Sequence, residues 1–344
     1  MHFYFNPLDK ACKSCTGAFP RGALATFRLF WDEAGEMPHH LDARFVFWQD
    51  GKERTPLSMN RTDDGFSVTL KFHQVGLYFY YFRIGDEYFG CGSLRNGTFM
   101  TQANLVSWQI TVFDEHYHTP DWMKGGIMYQ IFPDRFNRVG ECPAPAGKVL
   151  RGDWGGLPSY RPNEYGRVLN NDFFGGNLNG ITEKLDYLQS LGVTVLYLNP
   201  IFEAYSNHRY DTGDYLKVDP LLGTQDDLDR LVREAKKRGM RIVLDAVLNH
   251  TGSDSRYFNK YGHYDSVGAY QSPDSPYADW YHFSEFPDSY DCWWGIDTLP
   301  AVNETSASYQ EFIFGENGVL RHWLQHGIGG YRLDVADELP DFFL

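Results

Sequence analysis

Short apolar runs alternate with amphipathic helical segments from residue 126 to residue 338. The predicted strands are 126–133, 193–200, 240–250 and 330–338, and the predicted helices are 181–192, 224–239 and part of 306–327. Thr224 can cap the second helix, which has acids in its first turn, bases in its last turn and Gly239 behind it. Strands that are apolar on both faces and separated by helices predict an α/β fold with a parallel sheet.

Residues 1 to about 118 follow a different pattern. Runs such as "ATFRLFW", "GFSVTLKF" and "GLYFYYFRIG" alternate polar with apolar residues and are rich in aromatic side chains. No amphipathic helix interrupts them, so the pattern predicts an all-β, immunoglobulin-like sandwich. The polar stretch 114–126, with its proline and glycines, is the predicted linker.

The α/β part is too short for a complete eight-stranded barrel. Such a barrel takes about 250 residues, whereas the part that starts near residue 125 is shorter and contains long loops. We therefore predict an incomplete (β/α)8 barrel made of its first four strands, with an insertion at about 251–305 after the third. The predicted domains are 1–118 and 119–344.

Charge and cysteines narrow the class of partner and the compartment. The formal charge of −14 argues against nucleic acid and anionic membranes as partners. The N-terminus lacks the basic region and apolar run of a signal peptide, and no later stretch is apolar enough to span a bilayer. Five scattered cysteines are typical of a reducing compartment, and the lone pair Cys12 and Cys15 does not by itself indicate a zinc or redox site. We expect a cytoplasmic protein.

Charged and polar residues follow several of the predicted strands. They are Asp134 and Arg135 after the first, Asp245, Asn249 and His250 after the third, and Arg332, Asp334 and Glu338 in "GYRLDVADE". In parallel α/β sheets the carboxyl ends of the strands form the functional edge. A structural ion pair would also explain Arg332 and Asp334, because a lone buried charge is costly. The recurrence of such groups at several strand ends favours a functional site.

The chain resembles the α-amylase family of glycoside hydrolases in two blocks, "DAVLNH" (245–250) and "GYRLDVADE" (330–338). It resembles the neopullulanase and cyclomaltodextrinase branch in "YQIFPDRF", "FFGGNLNGITEKLDYLQSLGVTVLYLNPIF" and "SNHRYDTGDY". "LDKACKSCTGAFPRGALATFRL" resembles the N-terminal starch-binding sandwich of that branch. The resemblance implies retaining hydrolysis of α-1,4 bonds in maltodextrins, cyclodextrins or pullulan, with α-1,6 bonds left open.

By this resemblance Asp334 is the nucleophile, Arg332 orients it, and Asp245 holds both Arg332 and the sugar. Arg332 is expected to lower the pKa of the Asp334 carboxyl group and keep it ionised for attack. His250 is expected to donate to the hydroxymethyl group of the sugar at the cleavage point, and Tyr210 to stack on the same ring.

The resemblance adds further substrate-binding candidates. His208 and Asp211 lie on the loop around Tyr210, and Asn303 lies in "LPAVN", which resembles another family block. Asn249 joins the site, with a structural role favoured. Glu338 is the mark of the neopullulanase branch and is expected to contact the acceptor side of the cleavage point. For the aromatic residues of the insertion, core packing and a place in the cleft both remain open: Trp280, Tyr281, Trp293 and Trp294.

A retaining glycosidase needs a second carboxyl group about 5 Å from the nucleophile. The family carries it on a glutamate after the fifth strand, followed by a His–Asp pair after the seventh, and the sequence ends at Leu344 before either. Glu338 is too close to Asp334 along the chain to replace it. We therefore expect these residues alone not to hydrolyse glucan.

No organic cofactor is implied, and the resemblance argues against a metal. Some members of the branch bind calcium through an "NGD…ND" loop and an aspartate in "FFGGD", where this chain has "FNRVGECPAPAG" (136–147) and Asn177. Carboxylates set calcium affinity, so Asn137 and Asn177 are weak candidates. Members of the branch often dimerise through the N-terminal domain, which makes a homodimer a prediction by analogy.

Two other functions remain open. A debranching or transferring relative would use the same residues on a different bond or acceptor. A non-catalytic glucan-binding protein would bind through the sandwich, with the half barrel vestigial.

Overall fold

The computed structural model describes residues 2–49, 52–53, 55–142 and 147–344. The chain divides into two units, Met1–Thr119 and Pro120–Leu344. None of the helices in the described ranges combines the length and the apolar character that a membrane crossing requires.

The first unit is built from strands. In its described residues they are β1 (Phe3–Tyr4), β2 (Phe19–Pro20), β3 (Leu24–Trp31), β4 (Ala43–Gln49), β5 (Lys52–Glu53), β6 (Leu57–Ser58), β7 (Asn60–Thr62), β8 (Gly65–Lys71), β9 (Gly76–Ile84), β10 (Glu87–Cys91), β11 (Gly97–Met100) and β12 (Trp108–Phe113). One sheet has the order β1-β3-β8-β7, and the other is organised around β9, which pairs with β4, β10 and β12. The predicted strand-rich unit is therefore present.

Aromatic side chains fill the core of this unit because β9 alternates as a half-buried strand should. Tyr78, Tyr80 and Phe82 are buried, whereas the residues between them are partly exposed. Tyr80 and Phe82 contact Phe45 of β4, with ring centroids 5.2 Å and 5.9 Å away. Two-residue periodicity in the sequence thus translates directly into a buried aromatic layer.

The second unit alternates strands and helices. In its described residues they are β13 (Ile127–Ile131), β14 (Val149–Leu150), β15 (Asp172–Phe173), α1 (Leu178–Glu183), α2 (Leu185–Ser190), β16 (Val193–Leu198), β17 (Phe202–Ala204), β18 (Thr212–Val218), α3 (Gln225–Lys237), β19 (Arg241–Ala246), β20 (Phe283–Glu285), β21 (Ser289–Tyr290), α4 (Ala307–Phe314), α5 (Val319–Gln325) and β22 (Gly330–Leu333). The strands β13-β16-β19-β22 form a parallel sheet in that order, as predicted.

Register brings the polar strand ends to one edge of this sheet. Ile131 is the Cα partner of Leu198, which is the partner of Leu244. One step further along, Asp245 of β19 is the partner of Arg332 of β22. Neighbouring residues in register point to the same face of a sheet, so the fold itself sets these two charges side by side.

The structure corrects two element predictions. The helix predicted over 181–192 is two short helices that meet at Lys184, and the first begins early because the Asn177 side chain caps it by accepting from Gly180 N at 2.7 Å. The strand predicted over 330–338 ends at Leu333, since Val335 has a φ of 47° and leaves the extended conformation.

The prediction that the strands are buried on both faces is confirmed for β16 and β19 and is wrong for β13 and β22. Ile127 and Met128 of β13 are exposed, and so is Arg332 of β22. Within the described ranges β13 pairs only with β16 and β22 only with β19. Each outer strand therefore has a neighbour on one side only.

The inserted segment packs aromatic side chains into the core of the second unit. Trp280 and Tyr281 are buried together with Tyr257 and Phe258. Of the four aromatic residues for which both core packing and a place in the cleft were open, Trp280 and Tyr281 pack in the core.

Helix α3 begins with a capping box. Thr224 Oγ1 accepts from Asp227 N at 3.3 Å, and the Asp227 carboxylate accepts from Thr224 N at 2.9 Å. Gly239, with a φ of 77°, follows its last turn. Both ends therefore form as predicted, and the helix buries one apolar face that includes Leu228 and Leu231.

Replacing this cap tests whether it stabilises the second unit. Thr224→Ala should lower the free energy of unfolding by about 1 kcal/mol, because the Asp227 backbone N–H loses its partner, the Thr224 hydroxyl. Urea denaturation followed by circular dichroism would measure the loss. Thr224→Ser keeps the hydroxyl and should be close to neutral, and an equal loss in both variants would contradict the role of the cap.

Candidate active site

The carboxylate of Asp245 is buried at the carboxyl end of β19 and receives hydrogen bonds from three side chains. Arg332 Nη1 donates to its Oδ1 at 3.0 Å, while Tyr197 Oη and Tyr210 Oη donate to its Oδ2 at 2.5 Å and 2.9 Å. Burial raises the pKa of Asp245, and the hydrogen bonds from Tyr197, Arg332 and Tyr210 oppose that rise. The donors thus make an otherwise costly buried carboxylate tolerable.

Arg332 joins Asp245 to Asp334. Its Nη1 atom also donates to Asp334 Oδ1 at 2.5 Å, so a single nitrogen lies between the two carboxylates. Burial lowers the pKa of Arg332, but the bonds to Asp245 and Asp334 outweigh it and raise the pKa overall. The guanidinium therefore stays charged and ties both acids to one position.

Asp334 is held by its backbone as well as by Arg332. Its amide donates to Ala246 O at 3.0 Å, immediately beyond the end of β22. Among the described residues, Asp334 Oδ2 has no hydrogen-bond partner, although the side chain is only 15% exposed and lines the large cleft of this unit. This is the arrangement of a carboxylate that has one oxygen anchored and the other available.

A chain of amide and hydroxyl groups extends from Asp245 to the first strand of the sheet. Asn199 Nδ2 donates to Tyr210 Oη at 3.0 Å, and Gln130 Nε2 of β13 donates to Asn199 Oδ1 at 3.0 Å. Sequence reasoning missed Tyr197, Asn199 and Gln130. The available signal was a side chain with a polar tip at the carboxyl end of an apolar strand.

His250 lines the cleft, although its ring is almost entirely buried. It is 1% exposed, its Nε2 lies 3.2 Å from Tyr210 O, and its Nδ1 has no partner among the described residues. Burial lowers the pKa of His250 to about 4, although Asp334 acts in the opposite direction. Since Nε2–H has an acceptor in Tyr210 O, the neutral ring offers Nδ1 as an acceptor, which differs from the expected donor role.

The loop between β17 and β18 carries the other predicted residues. Tyr210 N donates to His208 Nδ1 at 3.1 Å, which leaves the His208 proton on Nε2, and burial lowers the pKa of this histidine. Asp211 accepts from both the amide and the hydroxyl of Ser206. His208 and Asp211 line the cleft, and the carboxylate of Asp211 is engaged in folding its own loop.

The cleft itself has a volume of about 1270 Å³. The predicted residues on its wall are Asp334, Arg332, His250, Tyr210, His208 and Asp211. Trp293 of the inserted segment also lines it. Asp245 stands directly behind this wall, in contact with Arg332 and Tyr210.

Besides Asp245, three predicted residues are not part of the cleft wall. Asn303 Nδ2 donates to Asp279 O, and its Oδ1 accepts from Thr305 within a local turn. Asn249 is buried, and its side-chain amide has no hydrogen-bond partner among the described residues. The carboxylate of Glu338 accepts hydrogen bonds from the indoles of Trp293 and Trp294.

The calcium candidates are occupied by local hydrogen bonds. Asn177 Oδ1 caps α1 and accepts from Val139 N at 3.3 Å, and Asn137 Nδ2 donates to Gly180 O at 3.0 Å. Residues 143–146 of the loop 136–147 lie outside the described residues. The side chains of both asparagines therefore stabilise the local fold through hydrogen bonds to the backbone.

Residues 130–342 match the family model described as "Alpha amylase, catalytic domain". The chain belongs to the α-amylase family. This family consists of glycoside hydrolases, and the match spans all the side chains of the triad Asp245, Arg332 and Asp334.

Comparison with individual proteins shows which members of the family the chain is similar to. It is 40% identical over 376 residues to the amylopullulanase of Thermoanaerobacterium saccharolyticum, covering 95% of this chain and 29% of that protein. It is 36% identical over 250 residues to neopullulanase 2 of Thermoactinomyces vulgaris, covering 71% of this chain and 39% of that protein. The solved structure of the cyclic α-maltosyl-(1→6)-maltose hydrolase from Arthrobacter globiformis, in complex with that sugar, has a TM-score of 0.55 at 36% identity and covers 65% of this chain and 47% of its own. The chain thus spans less than half the length of each of these three relatives.

The pKa of His250 can be measured directly. Its imidazole should titrate near pH 4 in a ¹H–¹³C NMR titration, because burial disfavours the charged ring. Assignment would come from the signal that is lost in His250→Gln. A midpoint near the value of an exposed histidine would contradict the buried, neutral ring.

The same shift predicts how stability depends on pH. Between about pH 6.5 and about pH 4 the unfolded chain takes up a proton on His250 that the native state refuses, so the free energy of unfolding falls as pH falls, by up to about 3 kcal/mol. Urea titrations of the unsubstituted chain and of His250→Gln would isolate this contribution. Parallel pH profiles in the two proteins would argue against it.

Proposed function

We propose that this chain forms the nucleophile side of the active centre of a retaining α-glucan hydrolase. The observation that carries the proposal is the carboxylate of Asp334, which lines the cleft and has one oxygen bound to Arg332. A nucleophilic carboxylate must be oriented toward its target, and the adjacent guanidinium of Arg332 holds Asp334 in one position. Attack of Oδ2 on the anomeric carbon would form the covalent glycosyl-enzyme of retaining hydrolysis.

The surrounding groups have distinct roles in this proposal. Asp245 accepts from Arg332 on the side away from the cleft. This contact keeps the guanidinium in place when the Asp334 carboxylate becomes the ester of the glycosyl-enzyme. Tyr210 offers its ring to the sugar while its hydroxyl stays on Asp245. His250 lines the cleft with a neutral ring and therefore adds no charge there. The oxocarbenium-like transition state is thus faced by the negative charge of Asp334.

Retaining cleavage also needs a general acid, and three of the acids near Asp334 are bound to other partners. Asp245 accepts from three side chains, Asp211 from Ser206, and Glu338 from two indoles. As the family resemblance implies, we propose that the general acid is the glutamate after the fifth strand of the barrel and none of these three residues.

The proposed substrates are maltodextrins, cyclodextrins or pullulan, with cleavage of α-1,4 bonds and α-1,6 bonds as the second candidate. The names of the relatives support this class, since they include an amylopullulanase, a neopullulanase and a hydrolase solved with a cyclic maltosyl-maltose. A net charge of −14 is compatible with a neutral glycan as ligand.

The finer architecture belongs to the same proposal. We infer that the four parallel strands are the first half of a (β/α)8 barrel, that about 251–305 is its inserted subdomain, and that the first unit is an immunoglobulin-like, starch-binding-like domain. The chain-order sheet and the strand-rich first unit support this. A cytoplasmic location is supported by the five free thiols, and a homodimer through the first unit stays a prediction.

The 344-residue chain should release no reducing sugar from pullulan or cyclodextrin in multiple turnovers. The reason is the missing general acid, without which the leaving group cannot be protonated. Incubation of the purified chain with each glucan, followed by a reducing-end assay, would measure this. Sustained release that depends on Asp334 would overturn the inference about the acid.

The role of Asp334 should be tested in the natural protein that carries these residues. Asp334→Ala should lower kcat by on the order of 10⁴-fold or more, because the covalent route is lost, while the Kd for maltodextrin stays close to that of the unsubstituted protein. Asp341→Asn, an exposed acid in the same segment, is the matched control and should keep full activity. Full activity in Asp334→Ala would refute the nucleophile, and maltodextrin binding by a natural protein with no activity would favour the non-catalytic alternative.

A further inference from the structure

Three aromatic rings lie in contact in a row from the cleft wall to the surface, the two indoles stacked and the imidazole tilted by 32° against Trp293. The ring centroids of His250 and Trp293 are 5.3 Å apart, and those of Trp293 and Trp294 are 5.2 Å apart with an interplanar angle of 19°. Trp293 therefore lies between the buried imidazole and the second indole. Trp294 is 77% exposed, so its outer face is open to solvent.

Glu338 holds the two indoles by their edges. Its Oε2 accepts from Trp293 Nε1 and its Oε1 from Trp294 Nε1, both at 2.9 Å. The glutamate lies 45 and 44 residues away from its partners along the chain, so the contact joins the segment after β22 to the inserted segment. Because each carboxylate oxygen receives an N–H donor, Glu338 fixes the position of both rings.

Two features of Trp294 are energetically unfavourable, namely its backbone conformation and its exposed ring. Trp294 adopts a φ of 50°, a left-handed conformation that is unfavourable for a bulky residue. Large exposed aromatic surface is also disfavoured in water. An indole that is fixed at its polar edge while its apolar face stays open is suited to a ligand with one flat apolar face and polar edges. A pyranose ring has this chemistry, with C–H groups on its face and hydroxyls at its rim.

We propose that Glu338 is a positioning residue that acts through the indole pair and presents the outer face of Trp294 to a glucosyl ring at the cleft rim. The inference rests on the proposed glucan-binding function. It replaces the expected direct contact between Glu338 and the acceptor sugar with an indirect one. Glu338 also keeps Trp293 against His250, so the same carboxylate supports the ring that faces the sugar at the cleavage point.

Circular dichroism of the 344-residue chain tests the positioning role without any sugar. Two indoles stacked 5.2 Å apart couple their transitions and should give an exciton couplet in the region of indole absorption. Glu338→Ala should abolish the couplet, and Glu338→Gln should weaken it, because an amide accepts through one oxygen only. Glu316→Gln, an exposed glutamate elsewhere in the unit, should leave the spectrum unchanged. A couplet that persists in Glu338→Ala would overturn the proposal.

Calorimetric titration with maltoheptaose tests the contact with sugar. Trp294→Ala and Glu338→Ala should each raise the Kd about tenfold, the scale of one aromatic contact. Trp154→Ala removes an exposed tryptophan outside the cleft and should bind as the unsubstituted chain does. An unchanged Kd in Trp294→Ala would overturn the proposal.

A double-substitution background separates an indirect role of Glu338 from a direct one. In Trp293→Phe/Trp294→Phe the rings remain but their N–H donors are gone, so adding Glu338→Ala should change the Kd no further. A further loss there would show that Glu338 contacts the sugar itself. If the unsubstituted chain binds no maltoheptaose, the proposed function fails, whereas the couplet still decides whether Glu338 positions the indoles.

Discussion

A carboxylate that is shut off from water must find donors within the protein, and the donors of Asp245 come from three separate parts of the chain. Tyr197 belongs to β16, Tyr210 to the loop between β17 and β18, and Arg332 to β22. Tyr210 and Arg332 also line the cleft, and Tyr197 supports them from behind it. The requirement to satisfy one buried charge therefore assembles the wall of the candidate site.

Such an arrangement serves geometry more than stability. Replacing a buried ion pair by apolar side chains is often neutral or stabilising, whereas removing a single partner is strongly destabilising. The triad of Asp245, Arg332 and Asp334 is thus a poor choice for a merely structural strand end. It makes sense where the position of Asp334 relative to the cleft has to be exact within a fraction of an ångström, and this weighs against the structural ion pair that the sequence left open.

The sequence anticipated those features that depend on local pattern or on strand order. Parallel strands in chain order bring Asp245 and Arg332 into register, and the cap at Thr224 depends only on residues next to it. The features that escaped prediction depend on distant or disguised partners. Tyr197 is hidden in an apolar strand, and nothing near Glu338 in the sequence indicates that two indoles 44 and 45 residues away occupy its carboxylate.

Backbone conformation accounts for the remaining differences. The two-residue period of 330–338 continues through Asp334 to Ala336, but Val335 leaves the extended region and the strand stops at Leu333. The result is that Asp334 follows a strand end instead of lying within a strand. Its carboxylate is consequently placed at the rim, where a period-two pattern alone would have placed it on the flank of the sheet.

The position of β22 at the border of its sheet has a consequence for how the site could be completed. Within the described residues, the outward-facing amides and carbonyls of this strand have no β-partner. A further strand that docked there in parallel would end beside Asp334, at a spacing of about 4.8 Å per strand. Any carboxyl group borne at the tip of that added segment would then stand within reach of the bond that Asp334 attacks.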